Sequence, residues 1–148
     1  MLYSFGGGTD SENPEGSLID VRGMLYGTAG CGGTSNYGTV FSLNPTTGAE
    51  TVLHSFCGGT DGESPLASLI DVKGVLYSTT ELGGTYNGGT VFSLDPMTGA
   101  ETVLHSFGGG TDGETPYPGL IDVKGALYGT TYFGGTYFYG TVFKIKKP

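Results

Sequence analysis

A repeat of 51 residues is the feature that most limits what this chain can fold into. The segment SLIDVRGMLYGT begins at Ser17, and close copies of it begin at Ser68 and Gly119. The segment GTVF keeps the same spacing without an insertion or a deletion, at Gly38, Gly89 and Gly140. A fixed period of this length is typical of solenoids, propellers and other arrays built by stacking one supersecondary unit.

Each repeat is predicted to contain four short β-strands. The run SLIDV and the run after the next Arg-Gly or Lys-Gly pair form a hairpin signal. The runs GTVFSL and ETVLHSF are joined by a Pro- and Gly-containing turn. Four antiparallel strands in such a repeat predict a β-propeller blade. The alternative is a β-solenoid, whose coils are usually shorter and contain one set of strands per turn.

Composition agrees with an all-β fold and limits the partners. Thirty glycines and ten tyrosines accompany only 14% charged residues, a mixture that favours strands and tight turns over helices. The net charge of −8 argues against nucleic acid and anionic membranes, which attract clustered Lys and Arg. No apolar run approaches the ~20 residues of a membrane helix, and no signal peptide is recognised, so membrane insertion is not expected.

The repeat divides the single domain, residues 1–148, into unequal parts. Blades are predicted at residues 17–56 and 68–107, and residues 119–147 supply the first three strands of another blade. Residues 1–5 align with LHSF of the complete repeats, so they are predicted to be the missing fourth strand of this composite blade. The strand residues are Leu2, Tyr3, Ser4 and Phe5.

Three blades are too few for an ordinary ring, since propellers typically have four to eight. Open terminal blades would leave apolar faces and unpaired strand edges, which favour association. We therefore expect the chain to be its own partner, with head-to-tail contacts closing the ring. A homodimer with six blades is favoured, and a homotrimer with nine is the alternative.

Two loops of each repeat are predicted to lie on one face and to carry the variation that function needs. Tyrosines and an amide in the loops between strands two and three suit stacking on sugar rings and bonding to their edges. These candidate ligand-binding residues are Tyr37, Tyr86, Asn87, Tyr132, Tyr137 and Tyr139. The alternative is that such rings pack between blades or at the seam between chains, and packing is preferred for Phe133.

Acidic residues two apart occur in each loop that follows a fourth strand, and Ca²⁺ binds carboxylate oxygens. The candidate metal ligands are Asp10 and Glu12, Asp61 and Glu63, and Asp112 and Glu114. The preferred interpretation is a simple turn, in which Asp bonds its own backbone and Gly takes positive φ. No cofactor is therefore expected, with calcium as the alternative.

Cysteine, histidine and aspartate give no clear catalytic pattern. Cys31 and Cys57 lie in loops of the predicted binding face, where a disulfide and two free thiols are both allowed. His54 and His105 occupy the fourth strands at a position held by Tyr3 elsewhere, which favours packing over catalysis.

Asp20, Asp71 and Asp122 precede the hairpin turns and are interpreted as caps of those turns. A lyase or hydrolase that uses Asp71 and Asp122 in a central channel is the weaker alternative. We expect a non-enzymatic, self-assembling module that binds a glycan or a protein, or a purely structural fragment without a ligand.

The pattern LYGTT, GG, GTVF, LDP, TG, ETVLHSF and GGTDG, spread over essentially the whole chain, resembles the GloVer tandem repeats of Gloeobacter and Verrucomicrobia. That resemblance implies a propeller-like repeat array in choice-of-anchor proteins that are exported or attached to the bacterial surface. It also implies no established enzymatic residues.

Overall fold

Three small antiparallel sheets follow one another along the chain in a computed structural model that describes residues 1–108 and 110–148. The first sheet contains β1 (Ser11–Pro14), β2 (Ile19–Val21), β3 (Met24–Gly32), β4 (Thr39–Leu43) and β5 (Glu50–Ser55). The second contains β6 (Ile70–Val72), β7 (Val75–Thr80), β8 (Thr90–Leu94) and β9 (Glu101–Ser106), and the third contains β10 (Ile121–Val123), β11 (Ala126–Thr131) and β12 (Thr141–Lys146). A short 3-10 turn at Gly59–Asp61 is the one helical element of the described residues.

The turn chemistry fixes the register of each sheet. Arg22 and Gly23 both have positive φ, 55° and 85°, and the Lys-Gly pairs at Lys73 and Lys124 behave in the same way. Two positive values are the mark of a two-residue hairpin turn that matches the twist of its strands. The second and third strands then pair along their length, and the fourth strand adds to the third with one bulge, between Val40 and Phe41 or between Val91 and Phe92.

A sealed apolar core lies between the first and second sheets. The rings of Phe56 and Phe92 meet edge to face with 5.2 Å between centroids, and both are fully buried. This sealed core comprises Val40, Phe56, Leu69, Leu76, Phe92 and Leu94, with Ile19, Val21, Tyr26 and Leu53 packed against it. A similar core around Phe107 joins the second and third sheets, so the array is held together by successive face-to-face contacts.

At the two outer ends of the array, the repeat positions that form the sealed core have no second sheet packed over them. One repeat before the sealed core lies the N-terminal groove, a cavity of about 450 Å³ whose lining includes Leu2, Phe5, Leu18, Leu25, Phe41 and Leu43. Two repeats after it lies the C-terminal face, formed by Ile121, Val123, Tyr128 and Val142. The side chain of Val142 is 79% exposed, whereas that of its copy Val40 is 0% exposed.

Residues Leu2–Phe5 form no strand in this single chain, and their pairing with the last blade of a neighbouring copy stays a prediction. The edge that they would extend belongs to β12, at the other end of the array. The segment nevertheless packs on the first sheet as a preceding fourth strand would. Phe5 meets Phe41 at 5.0 Å between ring centroids, close to the 5.2 Å between Phe56 and Phe92.

The structure adds a strand that the sequence did not predict. β1 pairs with the far end of β3, with Ser11 opposite Gly32 and Pro14 opposite Ala29. At the equivalent place, each of the other two repeats has a single bridge. These bridges join Glu63 to Leu82 and Glu114 to Phe133. Among the described residues, no helix has the length and apolar character needed to cross a membrane.

Candidate functional site

The loops that were predicted to share a face do lie together, and we name this surface the loop face. Glu63 and Leu82 exchange backbone hydrogen bonds of 3.0 and 3.2 Å, which tie the loop after β5 to the loop after β7. The amide of Gly84 also donates to the carbonyl of Gly59 at 2.7 Å. Backbone bonds of this kind hold the loops on a rigid scaffold, an arrangement that suits a binding surface.

The carboxylates predicted as metal ligands hold their own loops. Asp10, Asp61 and Asp112 each accept a hydrogen bond from the backbone amide four residues earlier, at 2.6, 2.9 and 3.0 Å. The side chain of Glu12 accepts from the amide of Gly8 at 3.1 Å. Glu63 and Glu114 pair through their backbones with the neighbouring loop. The geometry therefore explains these acids as loop supports, and calcium binding stays a prediction.

One of these acids belongs to a cluster that spans two sheets. His54 in β5 places Nε2 at 3.3 Å from both carboxylate oxygens of Asp61. Glu101, the first residue of β9 in the next sheet, completes a group whose candidate ligand atoms all lie within 4.8 Å of one another. It is the one such group of three among the residues that the structure describes.

The pKa values of the two carboxyl groups in this cluster are shifted in opposite directions. Burial, followed by the charge of Asp61, raises the pKa of Glu101 to about 7. Burial acts in the same direction on Asp61, but hydrogen bonds from His54 and from the amide of Cys57 lower the pKa of its carboxyl overall. The Oε1 atom of Glu101 is buried and has no hydrogen-bond partner among the described residues. Such an orphaned acceptor is costly unless something compensates it.

In the copy of this cluster that precedes the first sheet, hydroxyl groups donate hydrogen bonds to both carboxylates. Tyr3 donates to Asp10 at 2.9 Å, and Ser11 donates to Glu50 at 3.3 Å. Burial and the charge of Asp10 raise the pKa of Glu50, although the hydroxyl of Ser11 opposes this shift. Glu50 thus has the partner that Glu101 lacks.

After the second sheet, His105 approaches Asp112 at 3.1 Å, and the 148 residues contain no third carboxylate at the equivalent position. Sequence reasoning interpreted His54 as a packing residue and missed the cluster, because Glu101 comes from the following repeat. The available signal was a Glu at the start of each fourth strand.

The two cysteines are free thiols in the structure. No bond joins Cys31 to Cys57 here, and the disulfide that the sequence allowed stays a prediction. Cys57 is exposed and Cys31 is half-buried. Partial desolvation and the neighbouring Asp61 raise the pKa of the Cys57 thiol.

Two of the predicted ligand-binding aromatics pack on a glycine and are still exposed, Tyr37 to 42% and Tyr86 to 69%. The ring of Tyr37 covers Gly58, where an added Cβ would lie 3.0 Å from the ring, and the ring of Tyr86 covers Gly108, where it would lie 3.3 Å away. Asn87 uses its side-chain oxygen to accept from the amide of Gly83 at 3.1 Å. These residues therefore have structural contacts of their own.

The third repeat presents the same rings uncovered. Tyr137 is the copy of Tyr86 and is 80% exposed, and Tyr139 is the copy of Tyr37 and is 92% exposed. No loop among the described residues lies over them. Their exposure has the same cause as that of the C-terminal face.

Tyr132 lies in a separate cleft of about 250 Å³ between the second and third sheets. Its ring meets that of Phe133 edge to face at 4.6 Å, and both rings are about half or more exposed. Tyr117, which sequence reasoning did not single out, lines the same cleft with Glu81 and Thr115. The cleft thus combines three aromatic rings with a carboxylate and a hydroxyl. Phe133, for which packing was preferred, is 49% exposed.

The aspartates considered for catalysis are engaged elsewhere. Asp20 and Asp71 accept hydrogen bonds from the turn glycines Gly23 and Gly74 at 2.8 and 2.9 Å, as the capping interpretation predicts. Asp122 instead lies 2.6 Å from the ammonium group of Lys147. Each of these carboxylates therefore has a local partner, and the enzymatic alternative stays a prediction.

Comparison with known proteins places the chain among repeat proteins. A family model described as the Gloeobacter/Verrucomicrobia repeat matches residues 1–147. Among solved structures, a chain in the crystal structure of a nidogen/laminin complex is similar, with a TM-score of 0.59 and 15% sequence identity. That similarity covers 99% of this chain and 50% of the other, so this chain spans half the length of its structural neighbour. No curated protein matches the sequence.

Proposed function

The chain belongs to the Gloeobacter/Verrucomicrobia repeat family, and we propose that it is a non-enzymatic structural module that assembles with copies of itself into a closed β-propeller. One observation carries the proposal. The N-terminal groove and the C-terminal face are the two halves of the sealed core between the first and second sheets. A copy of the C-terminal face placed in the groove would restore all ten positions of that core.

Both ends of the array expose apolar side chains. Leu2 and Leu18 in the groove are 57% and 48% exposed, and Ile121 and Val142 on the C-terminal face are 62% and 79% exposed. Burying an aliphatic side chain of this size contributes about 1.5–3 kcal/mol. Contiguous apolar patches of this kind mark association surfaces.

The third sheet also ends in an unpaired strand edge. β4 and β8 are each paired on both sides, whereas β12 has β11 on one side and nothing on the other among the described residues. The internal pairs Thr39 with Ser55 and Val40 with His54 transfer to β12 by the repeat. They predict Thr141 opposite Ser4, and Val142 opposite Tyr3, of the neighbouring copy.

The exposed tyrosines fit the same seam. By the repeat, Tyr137 would cover Gly6 of the neighbouring copy and Tyr139 would cover Gly7, as Tyr86 covers Gly108 and Tyr37 covers Gly58. These two rings then support assembly better than ligand binding.

Two copies are the favoured number. They would give six blades, which lies within the usual range of four to eight, whereas three copies would give nine.

An intermolecular cross-link tests the predicted register. Ser4→Cys and Thr141→Cys are introduced together in a background with Cys31→Ser and Cys57→Ser. Paired strand positions lie within reach of a disulfide, so oxidation is expected to give covalent dimers or closed higher rings. A shifted pair, Ser4→Cys with Lys144→Cys, is the control and is expected to cross-link poorly. Equal cross-linking of both pairs, or none of the first, contradicts the register.

Binding of a glycan in the cleft of Tyr117, Tyr132 and Phe133 is a second candidate function. The supporting observation is that aromatic rings with a nearby carboxylate and hydroxyl line one concave space, the combination found at small-ligand sites. In the preceding interface this space is closed, because Leu66 packs directly on Gly30.

A glycan array with purified protein tests this second candidate. The substitution Tyr132→Ala is expected to remove the signal because it takes away a stacking ring, while Tyr86→Ala, outside the cleft, is expected to keep it. Absence of any glycan signal, or equal loss in both variants, contradicts a sugar site in this cleft.

A further inference from the structure

We propose that His54, Asp61 and Glu101 form a binding site for a zinc-class divalent cation that joins the first sheet to the second. The three side chains belong to β5, to the loop after it, and to β9. An imidazole with two carboxylates is a ligand set that suits zinc, whereas calcium takes six to eight oxygen ligands.

The distances in the cluster fit a small tetrahedral ion. Zinc–ligand bonds of 2.0 to 2.2 Å place neighbouring ligand atoms roughly 3.3 Å apart. His54 Nε2 and Asp61 Oδ1 are already separated by 3.3 Å. All three ligand atoms lie within 4.8 Å, so a modest side-chain movement of Glu101 completes the site.

The carboxyl of Glu101 is a second observation that points to a ligand. No donor of another residue is placed on its buried Oε1 atom, and it lies within hydrogen-bond reach of the Asp61 carboxyl, where either a shared proton or a cation can join the two groups. In the preceding copy, the hydroxyl of Ser11 donates a hydrogen bond to Glu50. Gly62 replaces Ser11 in the repeat and has φ 103°, a conformation that a serine adopts only with strain. The cluster therefore lacks the hydroxyl donor that the preceding copy has.

Cys57, whose side chain lies beside Asp61, is able to act as a fourth ligand. Its backbone amide already donates to Asp61 at 2.9 Å. Glycine stands at both equivalent positions, Gly6 and Gly108. His, Cys, Asp and Glu, which are all zinc-ligand types, thus occur together at the interface between the first two sheets.

The proposed ion would link the first sheet to the second and so stabilise their contact. A metal that binds only the folded state stabilises it in proportion to its occupancy, and these ligands come from two sheets that otherwise meet through the sealed core. The site lies within one chain and does not depend on ring closure, so its test is separate from that of assembly.

Isothermal titration of the chelator-treated full chain with zinc chloride tests the site, with calcium chloride as the comparison. We expect one strong zinc site per chain, and no calcium binding at the same concentrations. Glu101→Gln and His54→Tyr are each expected to weaken zinc binding at least tenfold. Cys57→Ser is expected to weaken it less, because three ligands remain.

The matched control is His105→Tyr, which alters the equivalent His–Asp pair that has no third carboxylate. It is expected to leave zinc affinity unchanged. His54→Tyr should fold, because Tyr3 occupies the same repeat position, and circular dichroism checks this. Absence of zinc binding by the native chain, or equal affinity in Glu101→Gln, overturns the proposal. Loss of binding in His105→Tyr alone would also overturn it.

Discussion

The sealed core and the two open ends of this array are made from the same repeat positions but have opposite surroundings. Val40 is fully buried between the first two sheets, while Val142, two repeats later, is 79% exposed. Leu53 packs against the sealed core, while Leu2, one repeat earlier, is 57% exposed. The side-chain types are conserved along the repeat, so the difference comes from the presence or absence of a neighbouring sheet.

This difference supports the proposal that the exposed ends are interfaces between copies of the chain. A surface selected to face water would carry polar residues at these positions, but the chain keeps Ile, Leu, Val and Phe there. Exposed patches of this kind favour association over the solvated state.

Substitution inside the sealed core is expected to have the largest effect. Phe92→Ala removes a fully buried ring and its 5.2 Å contact with Phe56. The free energy of unfolding should fall by about 3–5 kcal/mol, measured by denaturant titration. Met97→Ala, at a side chain with 90% relative exposure, should change it by less than about 0.5 kcal/mol. Similar losses in the two variants would contradict the assigned core.

A charge placed on the C-terminal face should have an intermediate effect. Val142→Asp would bury an unpaired carboxylate in the proposed seam, so each of the two seams of a closed dimer should weaken by about 2–3 kcal/mol, or roughly a hundredfold per seam. The chain itself should remain folded, because Val142 is exposed in the single chain. Analytical ultracentrifugation measures the change, with Met97→Asp as the control that keeps assembly intact. An unchanged association constant in Val142→Asp would remove the C-terminal face from the seam.

The smallest effect is expected at the hairpin turns. Asp71→Ala removes the hydrogen bond to the amide of Gly74 and should cost about 1 kcal/mol of stability. Asp122→Ala removes an ion pair with Lys147 whose carboxylate is 30% exposed, and should cost less than about 1 kcal/mol. Thermal unfolding of both variants checks the order, and a larger loss for Asp122→Ala would reverse it.

Much of the fold was predictable because the repeat and its turns are local features. The Lys-Gly pairs require two positive φ values, and the hairpins form where those pairs occur. The run GTVFSL, which is rich in strand-forming residues and is followed by a Pro- and Gly-containing turn, also placed β4 and β8 correctly. β1 was missed because SENP contains a proline, which normally demotes a strand assignment.

The candidate sites were less predictable because they join residues from different repeats. Glu101 approaches His54 and Asp61 only when two sheets stack, and the spacing of residues in one repeat does not reveal this contact. Tyr117 and Tyr132 likewise line one cleft with Glu81, which comes from the loop after β7. The disposition of Leu2–Phe5 also depends on a strand edge that the same chain does not offer to it.

The mass of the purified chain in solution, measured by light scattering over a range of concentrations, tests the central claim most directly. The account predicts a closed species with twice the chain mass of 15.2 kDa, and three times that mass would support the nine-bladed alternative. A mass of 15.2 kDa at every concentration would show that the open ends do not pair, and would contradict the assembly of this chain into a ring.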